Sequence, residues 1–175
     1  MRLTQSWWSG SWRSGSWRAQ GFIAIALALA ACSAQPADSA ARTAQAPARH
    51  PESGLPVIPL TITHGTARHV FRVEVARDSF EQAKGLMFRT RMGADEGMIF
   101  PMAPAREVSF WMKNTVIPLD IIFVGTDHRI LNVAADAVPY SETPLPSAGK
   151  VSGVLELNGG RAAALGIVPG DTVNW

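Results

Sequence analysis

SFWMKNTVIPLDIIF, residues 109–123, sets two apolar runs around a polar break. With Val108 the first run spans 108–112, and the second spans 119–124. Both have the length and the β-branched and aromatic content of buried strands, and Lys113, Asn114, Thr115 and Pro118 between them read as a turn or strand crossing. Trp111, Asn114, Thr115 and Asp120 supply an aromatic platform beside hydrogen-bonding groups, which suits the floor of a pocket. The same groups suit the polar fastening of a tight corner, and the pattern leaves both readings open.

Outward from this stretch, residues 57–175 have the composition of one domain with a hydrophobic core. Residues 57–63 are strand-like, and His64-Gly65 punctuates a hairpin. Phe71, Val73 and Val75 alternate with Arg72, Glu74 and Ala76, the pattern of a half-buried strand. Asp78 and Glu81 have the spacing of a capping box for a short helix that Gly85 ends. Met98-Ile99-Phe100 reads as a short strand closed by Pro101 and Pro104. Residues 125–128 form the turn of a hairpin into 129–138, and 139–149, with three prolines, read as a long surface loop. Residues 150–157 return to strand, 161–165 form a second short helix between glycines, and 172–175 end the chain. Many short strands and two short helices predict a mainly β domain, a compact β-sandwich or barrel-like fold.

The first third of the 175-residue chain has a different character. Residues 1–20 carry Arg2, Arg13 and Arg18 and no acid, and an apolar run follows at 21–31. This is the layout of an export signal, and the run is about half the ~20 residues that span a bilayer. Leu29-Ala30-Ala31-Cys32 resembles a bacterial lipobox, whose cysteine is acylated and becomes the mature N-terminus. Cys32 is the only cysteine of the chain, and lipidation gives a lone exported thiol a role. By resemblance to such lipoproteins, Ser33 directs the protein to the periplasmic face of the outer membrane. Residues 33–56, rich in Ala, Pro and Ser, read as a disordered tether behind Cys32. The expected division is a signal over 1–31, a lipidated tether over 32–56 and the β domain over 57–175.

Three of the 16 basic residues lie in the signal, leaving 13 against 14 acids, so the exported part is close to neutral. The basic balance of the whole chain is therefore no argument for nucleic acid. His50, His64, His69 and His128 show no zinc-ligand spacing, and no cofactor or metal is expected. Neither a Gly-x-Ser-x-Gly elbow nor a phosphate-cradling loop is present. Gly159-Gly160 before the second helix serves either a tight turn or an anion. Met87, Met92, Met98, Met102 and Met112 fit a small β core, with soft Cu(I) ligation as the lower alternative.

The motifs KGLMFR at 84–89, EGMIF at 96–100, FWMKNT at 110–115 and PLDIIF at 118–123 resemble the domain of unknown function 192 (DUF192) family. VLEL at 154–157, Gly160 and GIVPGD at 166–171 resemble its C-terminal part. The resemblance covers residues 71–173 in order, and it implies a compact, mostly β domain often found behind an export signal. It brings no established activity and no catalytic set.

Two carboxylates, Asp120 and Glu156, sit inside apolar runs. A buried charge needs a partner, and Lys113, Arg89, Asn114 and Thr115 are at hand. The candidate ligand cleft is accordingly Trp111, Asn114, Thr115, Asp120 and Glu156. The function expected is a non-enzymatic small-ligand-binding or envelope-accessory module, with the membrane as partner through the lipid anchor. The alternative is an envelope hydrolase using Asp120 or Glu156 as acid/base. Where the two carboxylates point separates the two readings.

Overall fold

Residues 48–175 are described by the computed structural model, and the expected export signal, Cys32 and the expected tether up to residue 47 lie outside them. In chain order the elements are β1 (Val57–His64), β2 (Ala67–Val75), α1 (Ser79–Lys84), β3 (Glu96–Arg106), β4 (Ser109–Phe110) and β5 (Leu119–Gly125). They continue with β6 (Ile130–Ala137), β7 (Leu145–Pro146), β8 (Val151–Asn158), α2 (Arg161–Leu165) and β9 (Thr172–Asn174). Seven strands form one sheet in the order β6-β5-β8-β3-β2-β1-β9, and β4 pairs with β7 apart from it. All neighbours are antiparallel except β2 and β3, whose crossover carries α1. The fold is mainly β and sandwich-like, as the sequence predicts, and the sheet does not close into a barrel. Its two ends are drawn together at the β5–β6 turn, where Ile130 N donates to Asp171 O (2.9 Å) and Val173 N to His128 O (2.8 Å).

Both faces of the sheet are buried in its centre, and every residue of β5 is buried. The inner face gathers Leu60, Phe71, Val73, Ile99, Ile122, Leu155 and Leu157 with Ala162 of α2. The outer face gathers Met98, Phe100, Met102, Ile121, Phe123 and Val154, roofed by Leu86 and Met112 from connecting segments. Period-two alternation assigns each strand residue to one face or the other. The capping box of α1 forms as its sequence implies, with Asp78 Oδ1 accepting from Glu81 N (2.8 Å) and Glu81 Oε2 from Asp78 N (3.1 Å). Gly85, at φ 47°, then turns the chain onto the outer face.

Three expectations are corrected. The run at 108–112 is no central strand beside β5: only Ser109–Phe110 is extended, and it pairs with β7 inside the supposed surface loop. Its apolar residues form a roof instead, with the Phe110 ring edge-on to Phe100 (5.1 Å) and Phe123 (6.1 Å). Pro101 and Pro104 do not end β3. Past Ile99 no strand pairs with β3 on its β2 side, and the Pro101 carbonyl points that way to accept from Gln82 Nε2 (2.9 Å). The ring nitrogen, on the same side, therefore costs no ladder bond.

The third correction concerns residues 48–56, which are ordered ahead of β1. Arg49 bridges Pro56 around a turn, His50 N donates to Leu55 O (2.9 Å) and Gly54 N to His50 O (2.8 Å). The last residues assigned to a disordered tether thus form an ordered strap. Leu55 packs it against the outer-face core, and its polar residues and backbone hold the rest to the sheet.

Candidate functional site

Asp120 and Glu156 lie on opposite faces of the sheet. Asp120 stands opposite Leu157 and Glu156 opposite Ile121, and cross-strand partners share a face. The two carboxyl groups cannot converge on one cleft, so the sequence grouping of Asp120 with the other cleft residues is corrected. Asp120 is 0 % exposed. Its Oδ1 accepts from Asp136 N (2.8 Å) and Gly160 N (3.0 Å), and its Oδ2 from Ala162 N (2.7 Å). The anion at the start of α2 is thus supplied by the chain itself. Three amide donors satisfy a buried carboxylate and tie β5 to β6 and α2, which is a structural role.

Glu156 is the opposite case. It lies on the outer face between Met98 of β3 and Ile121 of β5, and is 5 % exposed. Burial alone pushes its pKa from 4.5 up to about 8, with no hydrogen bond or ion pair to oppose the shift. It lines a cavity of about 190 Å3 walled by the C-terminal end of α1, the chain at 109–115 and Phe100. Trp111 and Thr115 line the same cavity, so the structure brings three of the five candidate cleft residues together. Lys84 and Lys113 add two ammonium groups to its wall. Trp111 is 48 % exposed, and Lys113 Nζ stands 5.1 Å from its ring centroid.

Asn114 and Thr115 shape the wall through the backbone. Thr115 N donates to Met112 O (3.0 Å), which closes a tight turn over residues 112–115. Asn114 occupies the left-handed region at φ 56°, and its carbonyl accepts from Phe88 N (2.9 Å). Its side chain makes only a long contact, Nδ2 to Met87 Sδ at 3.8 Å.

A second buried acidic group was missed by the sequence reading. Glu74, 3 % exposed, lies on the outer face one strand beyond Met98. Arg89 reaches it with two donors, Nη1 to Oε1 (2.8 Å) and Nη2 to Oε2 (3.2 Å). The strap completes the cage: Ser53 Oγ donates to Glu74 Oε2, and Glu52 Oε2 lies 3.3 Å from Arg89 Nε. Alternation alone marks Glu74 as outward, and its only local signal is a lone acid between Val73 and Val75.

The remaining candidates for chemistry are accounted for by packing. Met98, Met102 and Met112 are buried in the outer-face core, with Met92 packed against it. No group of three or more His, Cys, Asp or Glu side chains capable of holding a metal occurs among the described residues. His64 Nδ1 pairs with Asp171 Oδ1 at 2.8 Å, and His128 Nδ1 lies 3.2 Å from Val173 O, both at the seam between β1, β9 and the β5–β6 turn.

A mainly β domain with this order of elements defines a class that comparison with known proteins identifies. The model of DUF192, a family described as uncharacterized ACR, matches residues 60–175. The chain belongs to the DUF192 family. A solved protein of unknown function from Novosphingobium aromaticivorans is 64 % identical, with 75 % of this chain and 94 % of that one covered at a TM-score of 0.73. A second, from Sinorhizobium meliloti and described as a proposed transcription regulator, is 37 % identical, with 69 % and 94 % covered at a TM-score of 0.67. No curated protein matches the chain.

Proposed function

We propose that this DUF192 domain is a non-enzymatic ligand-binding module of the cell envelope, exported and anchored through lipidated Cys32. The observation that carries the binding reading is Glu156: a buried, unpartnered carboxyl facing a cavity beside Trp111. A carboxyl set among apolar neighbours without a partner is costly, and an incoming ligand that supplies the partner recovers part of that cost on binding. The aromatic and aliphatic walls with a few convergent polar groups are the usual make-up of a small-molecule site.

A lone acid with a pKa near 8 also suits general acid/base work, which keeps the hydrolase as the second reading. Against it, Asp120 is committed to three amides on the other face. The described helices are six and five residues long, too short for a helix-turn-helix, so among the described residues the description of the Sinorhizobium protein finds no such DNA-reading element.

A thermal-shift screen of metabolite-sized compounds on the purified protein tests the binding reading. Compounds that raise the melting temperature of wild type and not of Trp111→Ala, and that are recovered unchanged, support it. Recovery of cleaved product supports the hydrolase. Anchoring is tested separately by membrane fractionation and intact mass of wild type and Cys32→Ser; an unacylated, soluble wild type overturns it.

A further inference from the structure

Resting on that binding reading, we propose that the cavity beside Glu156 receives a small monocarboxylate, with its carboxylate against the Glu156 carboxyl and its apolar part between Leu86, Phe110 and Trp111. The size is suitable. A volume of about 190 Å3 equals roughly six waters in the liquid, enough for a short-chain or single-ring acid.

The charge pattern selects the sign of the ligand. Lys84 and Lys113 both line the cavity, and each carries a flexible ammonium group. Neither forms an ion pair with Glu156, and Lys113 Nζ lies 3.7 Å from Glu142 Oε1 and over the Trp111 ring. Glu156 is left as a neutral acid, whose hydroxyl is a hydrogen-bond donor at the floor of the cavity. A donor at the floor and positive charge at the wall complement an anion. An ammonium ligand would meet repulsion from both lysines. An O–H···O− bond is among the strong hydrogen bonds, so the pairing is directional as well as favourable.

Burial supports this state of the floor by holding the Glu156 pKa at about 8. Of the other charged groups, Lys84 of α1 and Lys113 line the cavity, Lys113 pairs with Glu142, and Glu74, which Arg89 already holds, lies with Arg72 and Glu96 on the same face of the sheet. β5 contributes only Ile121 opposite Glu156. A carboxylate therefore binds the protonated form: affinity is level between the ligand's own pKa and about 8 and falls tenfold per pH unit above that. A cationic ligand, which favours ionised Glu156, shows the reverse dependence.

The test is calorimetric titration of the purified protein with butyrate, hexanoate and benzoate, and with butylamine as the opposite-charge arm, at pH 7 and 9.5. The expected result is binding of the acids with a loss of about thirtyfold between the two pH values. Glu156→Gln keeps a neutral donor, so it retains binding at pH 7 and loses the pH dependence; Glu156→Leu removes the donor and the binding. Butylamine binding that strengthens with pH overturns the carboxylate assignment and leaves the binding site standing. Failure of both arms, while the broader screen finds a Trp111-dependent ligand, overturns the assignment in the same way. If that screen is also empty, the binding reading falls with it.

Discussion

Glu74 and Glu156 occupy equivalent places on the outer face, each one strand from Met98 and each almost fully buried. The fold treats them in opposite ways. Around Glu74 it assembles Arg89 from the loop after α1 and Ser53 from the strap. Around Glu156 it supplies apolar neighbours and a cavity, and the carboxyl answers by keeping its proton. Burial therefore does not distinguish a site from a fastening. What distinguishes them is whether the chain has already filled the partner's place. By that criterion Asp120, with three amides on its oxygens, belongs with Glu74.

The largest effect expected from breaking this contrast is at the caged member. Arg89→Met leaves Glu74 buried without its cation, which costs about 3–5 kcal/mol. Arg89→Met combined with Glu74→Met exchanges the pair for apolar volume and restores most of the loss. Urea unfolding of wild type, the single and the double variant measures both. A single variant within about 1 kcal/mol of wild type would show that the cage is not holding the strap and sheet together.

A pH-dependent effect, smaller below neutral pH, is expected at the uncaged member. Between about 4.5 and about 8 the unfolded chain has lost the Glu156 proton while the folded protein keeps it. The folded state binds more protons in that window, so stability falls as pH rises through it and is level on either side. The contribution is about 3 kcal/mol at pH 6.5 and approaches about 5 kcal/mol above pH 8, and Glu156→Gln removes it. Unfolding midpoints at pH 4.5, 6.5 and 8.5 should therefore converge at low pH and separate at high pH, with the variant the more stable. Profiles that run parallel would mean that Glu156 is ionised in the folded protein.

How far this contrast can be read from sequence depends on the distance over which it is built. Asp120 and Glu156 are conspicuous because each interrupts an apolar run, and local alternation is enough to mark them. Their assignment to opposite faces depends on the register of β5 against β8, which pairs residues more than 25 positions apart and has no local signature. Glu74 looks like a solvent-facing strand residue because what covers it comes from Arg89 and from residues 50–53. The strap looks like tether because a polar, proline-rich turn is held by a few side-chain bonds that composition does not register. Pro101 looks like a strand end because the rule against proline in strands assumes a neighbour on both sides. Trp111, Thr115 and Glu156 stand out in the sequence as polar and aromatic oddities and line one cavity, while Lys84, which lines it too, has no local signal.

The smallest effect concerns Asn114, and it asks whether this residue serves the frame of the cavity through its backbone or through its amide. Its left-handed backbone at φ 56° joins the 112–115 turn to Phe88, and these two segments form facing walls of the cavity region. Asparagine is tolerated in that conformation, alanine costs roughly 1 kcal/mol there and glycine costs almost nothing in the folded state. The side chain itself makes only a long contact to the Met87 sulfur. If the backbone is what matters, Asn114→Ala lowers stability by about 1 kcal/mol and Asn114→Gly by about half of that or less, the remainder coming from the more flexible unfolded chain. If the amide group matters, the two variants lose equally, because both remove it. Denaturant midpoints of the two variants, compared with each other before either is compared with wild type, separate the cases. Equal losses would show that the amide, through its contact to Met87, and not the left-handed backbone, is what Asn114 contributes to the frame of the cavity.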